Sequence, residues 1–120
     1  MARVFFLCSG DSRILIMDLS AVTDMQESIK IIDECEKTIE KLPLKSVLLL
    51  TDVSNSRYDM LGIERLKMFS KNITPFILKS AAVGDIAEKN MIIEILQKIS
   101  GRKIESFISR DEAVRYLTSF

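Results

Sequence analysis

The sequence contains no histidine and no tryptophan, and it has only two cysteines, two prolines and four glycines in 120 residues. Histidine is the commonest general base and the commonest metal-ligating side chain in proteins. Its absence excludes the usual serine–histidine and cysteine–histidine pairs of nucleophilic catalysis. We therefore expect a protein that is not an enzyme and that needs neither a metal ion nor an organic cofactor.

The two cysteines are too few for a disulfide framework and lie in apolar surroundings. Cys8 falls within an apolar run, and Cys35 falls on the apolar side of a predicted helix. Free cysteines are among the residue types most often buried. The sequence predicts two reduced thiols in the core rather than a disulfide or a redox pair.

Long hydrophobic runs and an excess of one charge are also absent. The longest apolar runs, residues 4–8 and 47–50, are far too short to span a bilayer, and the N-terminus lacks a signal-peptide pattern. The formal net charge is +0, which gives no general attraction for nucleic acid. We expect a cytoplasmic protein without a nucleic-acid partner and without an integral membrane segment.

What the sequence does contain is 48% hydrophobic and 28% charged residues, an ordinary globular mixture that predicts a single domain over residues 1–120. Period-two and period-3.6 patterns alternate along the chain. They predict strands at 3–8, 13–19, 46–52, 78–83 and 104–108, and helices at 24–41, 59–73, 86–100 and from 109 onward. The fold class is therefore α/β, with a mixed five-stranded sheet that begins with a hairpin and is flanked by four helices.

The segment at residues 48–66 is the most informative, because a buried strand runs into a polar loop and then a helix. In α/β proteins such junctions are where ligands and partners bind. The candidate binding residues in and beside the loop are Asp52, Ser54, Ser56, Tyr58 and Asp59.

Two simple chemistries for this junction are weakly supported. Asp18 ends the second predicted strand as Asp52 ends the third, so their carboxylates could meet at one sheet edge and hold a hard cation. Aspartates in loops more often bond their own backbone, and Asp59 has the position of a helix N-cap. Nucleotide binding is disfavoured because the sequence has neither a Walker motif nor a Gly-x-Gly-x-x-Gly loop.

The helix after the loop carries two apolar stripes at helical spacing. Its core stripe comprises Ile63, Leu66, Phe69 and Ile73, whereas Leu61 and Met68 lie together on another side. The second stripe either packs under a neighbouring element or forms an exposed surface for a protein partner or an apolar ligand.

Methionine and phenylalanine are each present six times, and some of them could line an apolar pocket. The candidates are Met17, Phe76, Met91 and Phe107. Such residues at periodic buried positions are more often ordinary core. Both interpretations remain open at this point.

The order of elements resembles that of the STAS domains, and in particular of their small SpoIIAA-like relatives. The resemblance covers nearly the whole chain. It is carried by residues 14–20 (ILIMDLS), 48–54 (LLLTDVS), 59–63 (DMLGI), 81–84 (AAVG) and 107–117.

In anti-sigma-factor antagonists of this family the helix opens with Asp-Ser-Ser-Gly, and one serine accepts a phosphate. Here Asp59 and Gly62 match the ends of that motif, but Met60 and Leu61 stand in place of the serines. The resemblance therefore implies that the phosphorylation switch is lost, unless Ser54 or Ser56 replaces it.

These patterns together predict a regulatory domain that binds a protein partner through residues 54–68, including Leu61 and Met68. Self-association as a homodimer is compatible with this hypothesis. The fold is also similar to that of CRAL-TRIO lipid carriers, which implies an alternative. In that alternative the protein carries or senses an apolar, lipid-like ligand and makes transient contact with a membrane.

Overall fold

The protein is described by a computed structural model, which covers residues 2–57, 59–84 and 87–119, without the side chains of residues 87–92. Its five strands form one sheet in the order β1-β2-β3-β4-β5. The first pair is antiparallel and the other three pairs are parallel. The strands are β1 (Val4–Ser9), β2 (Ser12–Asp18), β3 (Val47–Asp52), β4 (Ile77–Val83) and β5 (Glu105–Phe107). The predicted mixed sheet with an N-terminal hairpin is confirmed.

Four α-helices follow the strands at the predicted places. They are α1 (Met25–Glu40), α2 (Met60–Ile73), α3 (Ala87–Ser100) and α4 (Arg110–Leu117), and a short 3-10 turn (Thr74–Phe76) follows α2. Asp24, Asp59 and Ser109 cap the first, second and fourth helix, each accepting a backbone N–H of the first turn. Gly101 takes the left-handed conformation after α3, with φ of 69°.

The helices divide unequally between the two faces of the sheet. On one face, side chains of α1 and α2 form the larger core with β2 and β3, and Leu96 of α3 packs against it. On the other face, Ala113 and Leu117 of α4 complete a smaller core. Strands joined in sequential order by right-handed crossovers place their connecting helices on the same side of the sheet. This arrangement explains why only the terminal helix covers the second face.

β3 is the strand best covered by these layers, since five of its six residues are buried, among them the four apolar residues Val47 to Leu50. They alternate between the two cores, which is the pattern of an interior parallel strand. The apolar run read from the sequence therefore has its predicted position.

The two cysteines differ from each other, and the prediction for one of them is wrong. Cys35 is buried in α1, where burial, followed by the nearby charges of Glu34 and Glu36, raises the pKa of its thiol to about 12. Cys8 is exposed on β1, which is an edge strand. An apolar run on an edge strand is only partly covered, and Phe6 and Leu7 are exposed beside it. Both thiols are free.

None of the helices in the described part of the chain is long and apolar enough to cross a bilayer.

Candidate functional site

The loop after β3 is held by hydrogen bonds within itself and to the segment after β2. The Ser54 amide donates to the Asp52 carboxylate at 3.0 Å, and the Ser56 hydroxyl donates to the Val53 carbonyl at 2.7 Å. The Ala21 amide donates to the Ser54 carbonyl at 2.8 Å. Asp52 and Ser56 are only 5% and 7% exposed, so they position the loop from inside.

Asp18 and Asp52 meet at the carboxyl edge of the sheet, as the sequence predicted, because parallel pairing aligns the two residues. Between them lies the guanidinium of Arg110, the first residue of α4. Its Nε lies 2.7 Å from Asp52 Oδ2, and its Nη2 lies 3.1 Å from Asp18 Oδ1. Arg3 adds a second guanidinium 3.5 Å from Asp18. Side-chain cations therefore occupy the place considered for a metal ion.

The charges and hydrogen bonds of this cluster favour the ionised forms of Asp18 and Arg110. Burial alone would raise the pKa of Asp18, but hydrogen bonds from Ser20 and the charge of Arg110 outweigh it and lower that pKa. Burial alone would lower the pKa of Arg110, but its bonds with Asp52 and Asp18 raise it. The cluster is a satisfied network that ties α4 to the strand ends.

Asp59 is the N-cap of α2 and makes its hydrogen bonds there instead of in this network. Its carboxylate accepts the Gly62 amide at 3.0 Å, and its own amide donates to the Met25 sulfur at 3.5 Å. Tyr58 lies outside the described residues. In residues 2–57, 59–84 and 87–119, no group of three cysteine, aspartate or glutamate side chains is arranged to hold a metal ion.

The outer face of α2 is apolar and uncovered. Leu61 is 70% exposed, Met60 is 73% exposed and Met68 is 56% exposed. The opposite side of the helix buries Leu66, Phe69 and Ile73 against the sheet. The alternative in which Leu61 and Met68 pack under a neighbouring element is therefore wrong. We call Met60, Leu61 and Met68 the α2 patch.

Charged side chains border the α2 patch. Arg65 of α2 pairs with Asp33 and Glu36 of α1 at 2.8 and 3.1 Å, and Lys67 pairs with Glu64 at 3.0 Å. Lys71, one turn after Met68, is also exposed, so the border of the patch carries charges of both signs.

A cavity of about 50 Å³ lies between the sheet, α2 and α3. Its walls are largely apolar and include Met17, Leu66, Phe69, Ile93 and Leu96. Of the residues proposed from sequence for an apolar pocket, Met17 is in this wall. Phe76 packs at the margin of the larger core, whereas Phe107 packs against the core on the opposite face. The Met91 side chain lies outside the described residues.

Among the described residues that line the cavity, the cationic one is Arg102, which follows the Gly101 cap. Its guanidinium donates to the hydroxyls of Ser70 at 3.0 Å and Thr74 at 3.4 Å, to the hydroxyl of Ser80, and to the Ser70 carbonyl at 3.4 Å. All four acceptors are neutral. Burial lowers the pKa of Arg102 to about 10. Across the described part of the chain, no carboxylate forms an ion pair with this guanidinium.

On its other side Arg102 borders a surface groove of about 370 Å³. Ser80 and Arg102 line both the cavity and the groove. The groove is also lined by Lys45, Lys79 and Lys103, and the described lining residues include no acidic side chain. Lys103 pairs with Glu105 at 2.7 Å, and Lys79 donates to the Tyr116 carbonyl at 2.8 Å.

Sequence reasoning did not identify Arg102, Ser70 or Ser80 as site residues. A signal was present, because Ser80 interrupts a buried strand and Ser70 lies on the buried side of α2. A hydroxyl at a buried position needs a hydrogen-bond partner. Arg102 supplies that partner from a turn that is distant in sequence.

Comparison with known proteins gives one informative result. No family model matches the sequence, and no curated protein matches it. The structure, however, is similar to the crystal structure of an uncharacterized protein of the DUF3478 family from Shewanella loihica PV-4, described as having a SpoIIAA-like fold. The TM-score is 0.76, the identity is 10%, and the alignment covers 95% of this chain and 91% of that chain. The chain has a SpoIIAA-like fold.

At that identity the likeness concerns the fold alone, and the SpoIIAA-like resemblance inferred from the sequence is confirmed at that level. Within this SpoIIAA-like fold, Leu61 lies in the first turn of α2 with its side chain in solvent. Ser56 is buried, with its hydroxyl bonded to Val53, so it is poorly placed to accept a phosphate.

Proposed function

We propose that the protein is a non-enzymatic regulatory domain that binds a protein partner through the α2 patch and the loop beside it. The supporting observation is the exposure of Met60, Leu61 and Met68, three large apolar side chains on one short helix. Exposed apolar side chains that cluster are typical of interaction sites, and methionine is enriched at protein interfaces.

The residues around the α2 patch indicate what kind of partner fits it. Asp33, Glu36 and Glu64 lie beside it, together with the cations Arg65, Lys67 and Lys71. A border of mixed charge does not attract an anionic membrane. The partner that fits has an apolar contact surface with charged residues of both signs at its margin. In this proposal Ser54 and Asp59 are the polar contacts at the margin of the surface, whereas the buried Asp52 and Ser56 support the loop from inside.

Leu61→Asp tests this proposal. An aspartate in the centre of an apolar contact would be desolvated without a partner, so we expect at least a thirty-fold loss of affinity. The protein would be used to isolate a partner from its own source. Affinity would then be measured between the purified pair by calorimetry.

Leu44→Asp is the matched control, because Leu44 is also exposed but lies in the loop before β3. It should bind the partner as the unchanged protein does. If Leu61→Asp binds equally well while keeping its circular dichroism spectrum, the α2 patch is not the binding surface. Sedimentation of the same variants tests whether the partner is a second copy of this chain.

A second function, carriage or sensing of an apolar ligand, has support from a different observation. The cavity beneath α2 and α3 is largely apolar, yet a cation lies in its wall. Native mass spectrometry of protein purified from its own source should detect an added mass. Repeated absence of any added mass would count against carriage and leave the proposal for the α2 patch unaffected.

A further inference from the structure

We infer that the cavity at Arg102 is a binding site for a small apolar monocarboxylate, with the carboxylate on Arg102 and the alkyl group between α2 and α3. This inference rests on the second proposed function, ligand carriage, and it is independent of the α2 patch. It names the chemical class of the ligand and the residues that select it.

The first step concerns charge. A guanidinium that is removed from water needs an anion or a dense set of acceptors. Arg102 has four neutral acceptors, and the Ser70 carbonyl and Thr74 belong to the C-terminal end of α2. The dipole at a helix C-terminus is equivalent to roughly half a negative charge. The helix end therefore offsets part of the charge of Arg102, and no carboxylate among the described residues offsets the rest.

The second step concerns hydrogen bonds. A guanidinium has five N–H donors. Only one of the two hydrogens on Arg102 Nη1 has an acceptor, the Ser80 hydroxyl, among the described residues. The hydroxyls of Ser70 and Ser80 each accept from Arg102 and keep their own proton to donate. These two serines are 2% and 3% exposed, so one N–H and two O–H donors converge inside the protein.

The third step concerns the apolar side of the cavity. Leu66, Phe69, Ile93 and Leu96 form a wall that gives no hydrogen bonds to an anion. An inorganic anion would leave this part of the cavity empty, whereas an alkyl group would fill it. A carboxylate joined to a short apolar group matches both halves of the site.

The fourth step concerns size. The cavity of about 50 Å³ has room for roughly four water-sized groups, which is enough for the three-carbon chain of butyrate when its carboxylate lies on Arg102, where the cavity meets the groove. A longer acyl chain would require α2 and α3 to separate. The basic groove on the other side of Arg102 gives an anion a route to the site and attracts it electrostatically.

The experiment is a chain-length series measured by two-dimensional NMR and calorimetry on the intact chain. Its probes are acetate, butyrate, octanoate and palmitate, with butanol as the neutral counterpart of butyrate and inorganic phosphate as the anion without an alkyl group. We expect butyrate to bind at least tenfold tighter than butanol and phosphate, with the largest amide shifts near Ser70, Ser80 and Arg102. If palmitate binds tightest, the carboxylate that the site recognises is that of a long-chain fatty acid rather than of a small acid.

Arg102→Met should weaken butyrate binding at least tenfold, because the charge-assisted hydrogen bonds to the carboxylate are lost. Arg115→Met is the matched control, because it removes an exposed guanidinium from α4, on the opposite face of the sheet. The affinity of this variant for butyrate should not change. If Arg102→Met fails to fold, Ala82→Val provides a second test. Ala82 lines the cavity, and the added methyl groups should exclude the alkyl chain.

The outcomes separate the two levels of the proposal. If Arg102→Met binds the acids with unchanged affinity, or if butanol binds as tightly as butyrate, the assignment of the carboxylate to Arg102 is overturned while ligand carriage stands. If phosphate binds as tightly as butyrate, the cavity plays no part and the inference is also overturned. If none of the acids binds, the inference is overturned, whereas ligand carriage is decided by the native mass spectrum of the protein from its own source.

Discussion

Two arginines of this protein have different kinds of partner: Arg110 is bound by carboxylates, and Arg102 is bound by neutral oxygen atoms. Arg110 lies at the carboxyl edge between two carboxylates, Asp18 and Asp52. Arg102 lies near the C-terminal end of α2 and donates to three hydroxyls and one carbonyl. Burial alone would lower the pKa of Arg110, but its two carboxylate partners raise that pKa by more. Arg102 has its pKa lowered by burial.

The difference indicates which polar cluster holds the fold together and which is available for a ligand. The Arg110 cluster is neutralised internally, and removing Arg110 leaves the buried carboxylate of Asp52 without its cation. The Arg102 cluster lies beside a cavity and has no carboxylate partner in the described part of the chain. From the sequence, the carboxyl edge is a weakly supported cation site, and Arg102 is not a candidate. The structure fills that edge with the guanidinium of Arg110 and places the guanidinium of Arg102 beside a cavity.

Arg110→Met is expected to have the largest effect on stability. It leaves the carboxylate of Asp52 buried without its cation, which costs about 3 kcal/mol in the free energy of unfolding. Urea denaturation followed by circular dichroism measures this loss. Arg115→Met on the same helix is the control and should stay within about 0.5 kcal/mol of the unchanged protein. An Arg110→Met variant as stable as this control would contradict the structural role of the cluster.

Asp18→Asn is expected to have an intermediate effect that depends on pH. The pKa of folded Asp18 is below its ordinary value of 3.8, so its charge stabilises the fold above that value. This contribution is lost as the pH falls through the folded-state pKa. We expect the variant to lose about 1 kcal/mol at pH 7 and to show a shallower decline in stability below pH of about 4.

The measurement for Asp18→Asn is a series of urea titrations between pH of about 7 and 2, with Asp11→Asn as the control because Asp11 is exposed in the hairpin turn. Parallel curves for the unchanged protein and Asp18→Asn would mean that the bonds to Ser20 and Arg110 do not stabilise the fold.

Arg102→Met is expected to have the smallest effect on stability, within about 1 kcal/mol. The variant loses hydrogen bonds to neutral acceptors, but it no longer buries a charge without a counter-ion, and the two changes oppose each other. Thermal and urea unfolding measure the difference. A loss as large as that of Arg110→Met would show that both arginines are structural and would remove the contrast between them.

Much of the fold could be predicted because its signals are local. The apolar stripe that includes Cys35 and Ile39 predicts α1, and the apolar run after residue 46 predicts β3. Gly101 indicates the end of α3. Cys8 was misassigned for a reason that is not local. Whether an apolar strand is covered depends on its place in the sheet, and β1 is at the edge.

The sites were predicted less completely than the fold. The meeting of Asp18 with Asp52 follows from parallel strand order, and the exposed stripe of Leu61 and Met68 follows from helical spacing. The cation between the two aspartates could not be foreseen, since Arg110 is 58 residues from Asp52. The contact of Arg102 with Ser70 and Ser80 likewise joins a turn, a helix and a strand.

The sequence by itself determined the alternation of strands and helices, the hairpin at the start, the absence of histidine chemistry and the apolar residues at the beginning of α2. These properties depend on residue type and spacing along the chain. Only the tertiary structure decided which charges are compensated. Electrostatic pairing depends on distances of a few ångströms between segments far apart in sequence, and those distances exist only after the layers have packed.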